Sequence, residues 1–145
     1  KIENKISPCL SKNNNRYKNY FLKIINDQSK VYDLYERSAQ LYWIGGEVIY
    51  TLDHIFENWK LFLSCFNISK CEISNSILLN QPNMRPRASL RWRLISKHSQ
   101  NGIFGMPTNK DVEIFGISHA EFGKNGIVRE FILIDEISIW KQILL

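Results

Sequence analysis

At 145 residues the chain has the length of one domain with room for a full core. Its 44% hydrophobic and 12% aromatic residues are the composition of an ordinary globular protein. The formal net charge of +5 resides wholly in the first 30 residues, where seven Lys or Arg face two acids, so the remainder is neutral. A nucleic-acid-binding domain needs a basic stripe on its folded surface, so nucleic acid is not expected as a partner. No run of about 18 apolar residues occurs, and no membrane span is expected. Cys9, Cys65 and Cys71 form no C-x-x-C and have no paired His. They fit reduced thiols in a cytoplasmic protein better than a disulfide scaffold or a zinc site.

In chain order, residues 1–14 carry little apolar periodicity and read as a flexible basic arm, leaving 15–145 as a single domain. Tyr17, Tyr20, Phe21, Ile24 and Ile25 recur on one helical face. Asn26-Asp27 and Ser29 then break and recap the chain before a second short helix over 31–35. Residues 39–44 predict a strand that ends in the Gly45-Gly46 turn. Thr51 is an N-cap candidate for a long helix whose apolar stripe runs Leu52, Ile55, Phe56, Trp59, Phe62, Leu63 and Phe66. So apolar a face needs an equally apolar partner, and a curved sheet supplies one.

After Ser69 the period changes to two. Cys71, Ile73, Ile77 and Leu79 predict one strand, and Pro82 and Pro86 bracket a loop. Leu90, Trp92 and Leu94 alternate with Ser89, Arg91, Arg93 and Ile95. A loop at 102–109 precedes a strand over 111–122, and Gly123-Lys124-Asn125-Gly126 predicts a hairpin turn. Residues 127–134 are apolar on both faces and predict a central, covered strand. Residues 136–145 fit either a short helix or an edge strand. Helices first, then consecutive antiparallel strands, make an α+β fold with helices packed over one face of a bent sheet.

The second half of the chain carries a resemblance. Arg91-Trp92-Arg93 leads to Gly102-Ile103-Phe104-Gly105-Met106-Pro107-Thr108, and Gly116-Ile117-Ser118-His119 precedes Phe122 and Asn125-Gly126-Ile127-Val128. The chain closes on Asp135-Glu136, followed by Gln142-Ile143. Together these segments resemble the SnoaL-like polyketide-cyclase family, although Asn109 stands where that family's loop commonly has glycine. The resemblance implies the nuclear-transport-factor-2-like cone around a pocket for a small hydrophobic organic ligand. It also implies a homodimer built on the sheet's outer face and, in an enzyme, Asp135 as general acid/base for carbonyl chemistry such as ring closure.

A carboxylate following the apolar run 131–134 would be partly desolvated, which suits proton transfer; equally, Asp is a preferred N-cap. His119 assists Asp135 only if the hairpin register puts both on one face; otherwise it is a strand histidine that contacts Glu130 or the dimer partner. Pairing Phe122 with Ile127 turns His119 away, and pairing His119 with Phe131 brings it round. Tyr42, Trp43, Trp59, Phe62, Trp92 and Phe131 are the candidate pocket aromatics. Arg91 and Arg93 either bind an anion or pair across strands with acids such as Asp111 and Glu113. His54 and His98 lack partners at metal-ligand spacing, and no nucleotide-binding glycine motif occurs, so neither metal nor cofactor is expected. The alternative to a catalytic pocket is a non-catalytic ligand-binding or dimerisation module of the same fold.

Overall fold

The structure, a computed structural model, describes residues 15–145; the arm expected over 1–14 lies outside them. Helix α1 (Asn15–Asn26) buries Tyr17, Phe21, Ile24 and Ile25, the stripe expected of it. It stops where Asp27 accepts the Ser29 N–H at 3.0 Å, and a single turn, α2 (Val31–Leu34), follows. Strand β1 (Tyr35–Tyr42) begins earlier than the sequence pattern suggests, and α2 ends one residue short of Tyr35. Gly45 and Gly46, with φ of 76° and 77°, then turn the chain into a three-residue strand, β2 (Val48–Tyr50), too short to leave a period-two signal.

Thr51 Oγ1 caps α3 (Leu52–Leu63), accepting the His54 N–H at 3.4 Å. Ile55, Trp59, Phe62 and Leu63 are buried from this helix. Phe66, expected at the end of its stripe, instead opens β3 (Phe66–Leu79). Four antiparallel-linked strands complete the sheet: β3, β4 (Arg87–His98), β5 (Asp111–Phe122) and β6 (Ile127–Ile134), after which α4 (Glu136–Leu144) closes the chain.

The result is an α+β fold around a six-stranded mixed sheet in the order β2-β1-β6-β5-β4-β3, with β1 and β6 parallel and the other pairs antiparallel. Bulges at Ile68/Lys70 and Ile73/Asn75 on β3, and at Val128 on β6 opposite Glu121/Phe122, add bend. The inner face is lined by Ala88, Leu90, Trp92 and Leu94 of β4, Ile114, Ser118 and Ala120 of β5, and Glu130 and Ile132 of β6. Against it lie α1 and α3. β6 is central, as expected, but only one of its faces is covered: Phe131 is 38% and Leu133 70% exposed. No helix among the described residues is long and apolar enough to cross a membrane, which says nothing about strands.

The C-terminal helix explains part of the closing sequence pattern. β6 stops at Ile134, opposite Gly116, while β5 continues back to Asp111. The Asp135 N–H extends the ladder to the Phe115 carbonyl at 3.1 Å. Beyond it the Gln142 side chain takes the strand's place. Its Oε1 accepts the Glu113 N–H at 2.7 Å, and its Nε2 donates to the Glu113 carbonyl at 2.8 Å.

Candidate functional site

The interior between the helices and the sheet is filled by aromatic rings. Trp43 meets Trp59 at 4.8 Å, Phe21 meets Trp92 at 5.0 Å, and Phe62 contacts both Phe66 and Phe104. Inside this apolar packing is one carboxylate. Glu130, on β6, is 1% exposed, and both its oxygens accept phenolic hydrogen bonds. Tyr17 of α1 donates to Oε2 at 2.5 Å, and Tyr35 at the start of β1 donates to Oε1. The Tyr35 oxygen in turn accepts the Trp59 indole N–H at 3.3 Å.

Burial dominates the electrostatics here. It pushes the Glu130 carboxyl up to about 7, the two phenol donors opposing it by stabilising the charged form. Both phenols are held well above their ordinary range, first by burial and then by the facing Glu130 charge. Ser118, also buried, comes close enough to Tyr17 to favour its ionised form, yet its Oγ makes no hydrogen bond of ordinary geometry. The arrangement is thus a buried carboxyl raised toward neutrality and joined by hydrogen bonds to two phenols and, through one of them, an indole.

The residues singled out in the sequence fall elsewhere or divide. Asp135 is exposed rather than partly desolvated, and its Oδ1 accepts the Ser138 N–H at 3.0 Å as the N-cap of α4. The apolar run before it does not bury it, because alternate residues of that run face outward. Replacing Asp135 by Ala is expected to cost about 1 kcal/mol as a lost cap, whereas Asn retains the cap; thermal melts of the two variants check this.

Both pairings weighed for His119 occur. Phe122 pairs with Ile127 and His119 with Phe131, because β6 carries one extra residue, Val128, between the two pairings. His119 therefore shares the outer face with Asp135. Asp135 joins the ladder at Phe115, four residues from His119, so roughly 13 Å of strand separates them. His119 Nδ1 instead lies 2.9 Å from Ser89 Oγ, and burial followed by the Arg87 charge holds its imidazole below the usual value.

Of the six aromatics, Trp43, Trp59, Phe62 and Trp92 are buried in the interior. Tyr42 and Phe131 stack on the outer face at 4.3 Å, so the six do not line one pocket. A cleft of about 230 Å³ beside the Gly45-Gly46 turn does gather Tyr42, Trp43 and Phe131. A cleft of about 360 Å³ on the outer face contains Asp135 with Arg91, Phe115, Ile117 and Leu133. Arg93 pairs across strands with Glu72 at 2.8 Å and Glu113 at 3.5 Å; Asp111 pairs with Lys97. Burial, then Glu72, raises the Cys71 thiol to about 11, which removes it as a nucleophile. Among the described residues no group of three or more His, Cys, Asp or Glu is placed to hold a metal ion.

Glu130 was missed in the sequence. The one available signal was a charged residue within the apolar run Ile127–Ile134, where the outward-facing Arg129 beside it masks the inward one. A cleft of about 130 Å³ on the surface beside Tyr17 is lined also by Arg16, Leu78, Pro86, Ala88 and Phe122. Tyr17, one of its lining residues, is the phenol that donates to Glu130 Oε2.

No protein-family model and no curated protein matches the sequence. Solved structures do. A protein assigned as a SnoaL-like polyketide cyclase from Jannaschia sp. CCS1 superposes with a TM-score of 0.71 at 7% identity, over 86% of this chain and 89% of that one. One assigned as a polyketide cyclase from Acidithiobacillus ferrooxidans gives 0.70 at 12%, over 92% and 95%. One assigned as an isomerase from Rhodopseudomonas palustris gives 0.67 at 8%, over 88% and 92%. At these identities the likeness shows a common fold.

Proposed function

We propose that this chain, whose fold is that of SnoaL-like polyketide cyclases, takes a small hydrophobic carbonyl compound into the space under α1 and transfers a proton on it, with Glu130 as acid/base. The observation that carries the reading is the fully buried Glu130 carboxyl, raised to about 7 and held by two phenols. Perturbed acids of this kind concentrate at functional sites, and a catalytic acid/base works best near the operating pH.

Tyr17 and Phe21 both come from α1, so displacement of one helix clears Glu130 and the ring wall beside it. The carboxylate removes a proton from the carbon next to the substrate carbonyl, and the C–H electron pair passes into an enolate. Glu130, now protonated, returns that proton to another carbon in an isomerisation or to a new alkoxide in a ring closure. Tyr35, steadied by Trp59, keeps the carboxyl oriented.

The test is turnover of a panel of conjugated ketones, lactones and aromatic polyketide-like compounds. Wild type and Asp135→Asn are expected to convert the same compound, while Glu130→Gln loses roughly a hundredfold or more, the size of a general acid/base contribution. Loss in Asp135→Asn with retention in Glu130→Gln would return the role to Asp135.

A second reading, a non-catalytic dimerisation module, is favoured by the outer face. Phe115, Ile117, Phe131 and Leu133 lie exposed on adjacent strands, with Ile117 directly opposite Leu133. A contiguous apolar block of this kind marks an interaction surface. Sedimentation is expected to find a dimer in the wild type and a monomer in Leu133→Asp; a wild-type monomer at tens of micromolar would sink this reading.

A further inference from the structure

Among the described residues four buried polar side-chain atoms have no hydrogen-bond partner of ordinary geometry: Arg87 Nε, Trp92 Nε1, His98 Nε2 and Ser118 Oγ. Two of them, the indole Nε1 of Trp92 and the Oγ of Ser118, lie together on the sheet face that carries Glu130, on side chains 2% and 1% exposed. Such atoms are rare in folded proteins and call for a missing partner. These two share the inner face of neighbouring strands, where Trp92 pairs with Gly116 and Ser118 with Leu90. The Trp92 ring lies across Gly116: its Cε2, the carbon bonded to Nε1, is 2.4 Å from where a side-chain Cβ at 116 would stand. Gly116 and Ser118 are successive inward positions of β5, so the indole N–H and the serine hydroxyl occupy one patch of sheet. Ser118 also adjoins Tyr17, which holds Glu130.

We infer that Trp92 Nε1–H and Ser118 Oγ–H are the donors for a ligand oxygen, the carbonyl that becomes an enolate as Glu130 takes its proton. This deepens the acid/base reading and rests on it. Donors fixed in advance where charge develops are the effective form of transition-state stabilisation. Both belong to the sheet, whereas the phenol of Tyr17 leaves with α1. Removing α1 from Glu130 therefore opens the carboxyl without disturbing these donors. Phe21 lies 5.0 Å from the Trp92 ring at 37°, and Trp59 lies 6.1 Å from Phe21. With α1 displaced Phe21 leaves the Trp92 face, and the flat indole it uncovers favours a planar conjugated carbonyl or phenolic compound over a branched aliphatic one.

The probe is 4-nitrophenol, a planar compound with an enolate-like oxygen, set against nitrobenzene, which lacks only that oxygen. Dissociation constants come from titrations of the full chain, and the Trp92 indole N–H is followed by NMR after assignment with Trp92→Phe. The nitrophenol is expected to bind more tightly than nitrobenzene and to move the Trp92 N–H signal downfield. Ser118→Ala and Trp92→Phe should each weaken nitrophenol roughly 10- to 150-fold with nitrobenzene unchanged, the loss of one hydrogen bond to a charged group. Should Trp92→Phe fold poorly, Ser118→Ala with the wild-type indole signal decides alone. Equal weakening of both probes overturns the inference, as does no weakening of either, no binding of nitrophenol, or a Trp92 N–H signal unmoved with the probe bound. Turnover in Glu130→Gln fails or survives separately, so loss of the acid/base reading is distinguishable from loss of these donors.

Discussion

Between pH 7 and pH 5 the wild type is expected to gain about 2 kcal/mol of stability relative to its Glu130→Gln variant. Glu130 carries a raised folded-state pKa of about 7 against an ordinary 4.5. Between those values the folded chain binds a proton that the unfolded chain has released, so stability falls as pH rises through the window. Below about 4.5 both states are protonated and the penalty is gone; above about 7 it levels off at roughly 3 kcal/mol. The comparison with the variant is essential. Burial lowers the pKa of both His98 and His119, so acidification costs the wild type stability through them. Those costs are common to both proteins and cancel for sites that do not interact. For a chain of this size 2 kcal/mol corresponds to roughly 4–8 °C in the difference of melting temperatures. A difference independent of pH from 5 to 7 would mean that Glu130 is ionised throughout and that its carboxyl is not raised toward neutrality.

Gly116→Ala is expected to destabilise the fold by about 1–3 kcal/mol or more, the range for overpacking a tight core. A Cβ there would stand 2.0 Å from Trp92 Cζ2 and 2.3 Å from Cη2, distances that no contact tolerates. The indole cannot swing aside cheaply, because Phe21 packs against it and the ring is rigid. Urea denaturation should show a lower midpoint with an unchanged slope. Combining Gly116→Ala with Trp92→Leu should recover part of the loss, since the smaller side chain makes room. An undiminished midpoint in Gly116→Ala would show that the indole is free to move, and would remove the fixed donor on which the Ser118 and Trp92 site depends.

Local periodicity was enough to place most of the elements. The stripe Tyr17–Ile25, the capped helix after Thr51, the alternation around Trp92 and the Gly123–Gly126 hairpin all emerge where their residues place them. Each is decided by neighbours within a few positions: burial period, a cap, a turn. β2 and the first residues of β3 escaped because three residues carry no period and because Phe66 continues a helical stripe as readily as it starts a strand.

The site was a different matter. β5 alternates without a break, so His119 faces outward in any case. Whether it shares that face with Asp135 depends on one extra residue, Val128, on β6, where a single step of register exchanges the two faces of everything after it. That same step sends Glu130 inside, opposite Ala120, while Arg129 and Phe131 go out. Asp135 stands where β6 gives way to α4, a position that a resemblance reads as chemistry and the backbone uses as a cap. The sequence by itself therefore determined the α+β order, the helix faces and the strand that carries Trp92. Only the tertiary structure decided that the buried acid is Glu130, because its partners Tyr17 and Tyr35 lie 113 and 95 residues away along the chain and meet it only when α1 and β1 close on β6.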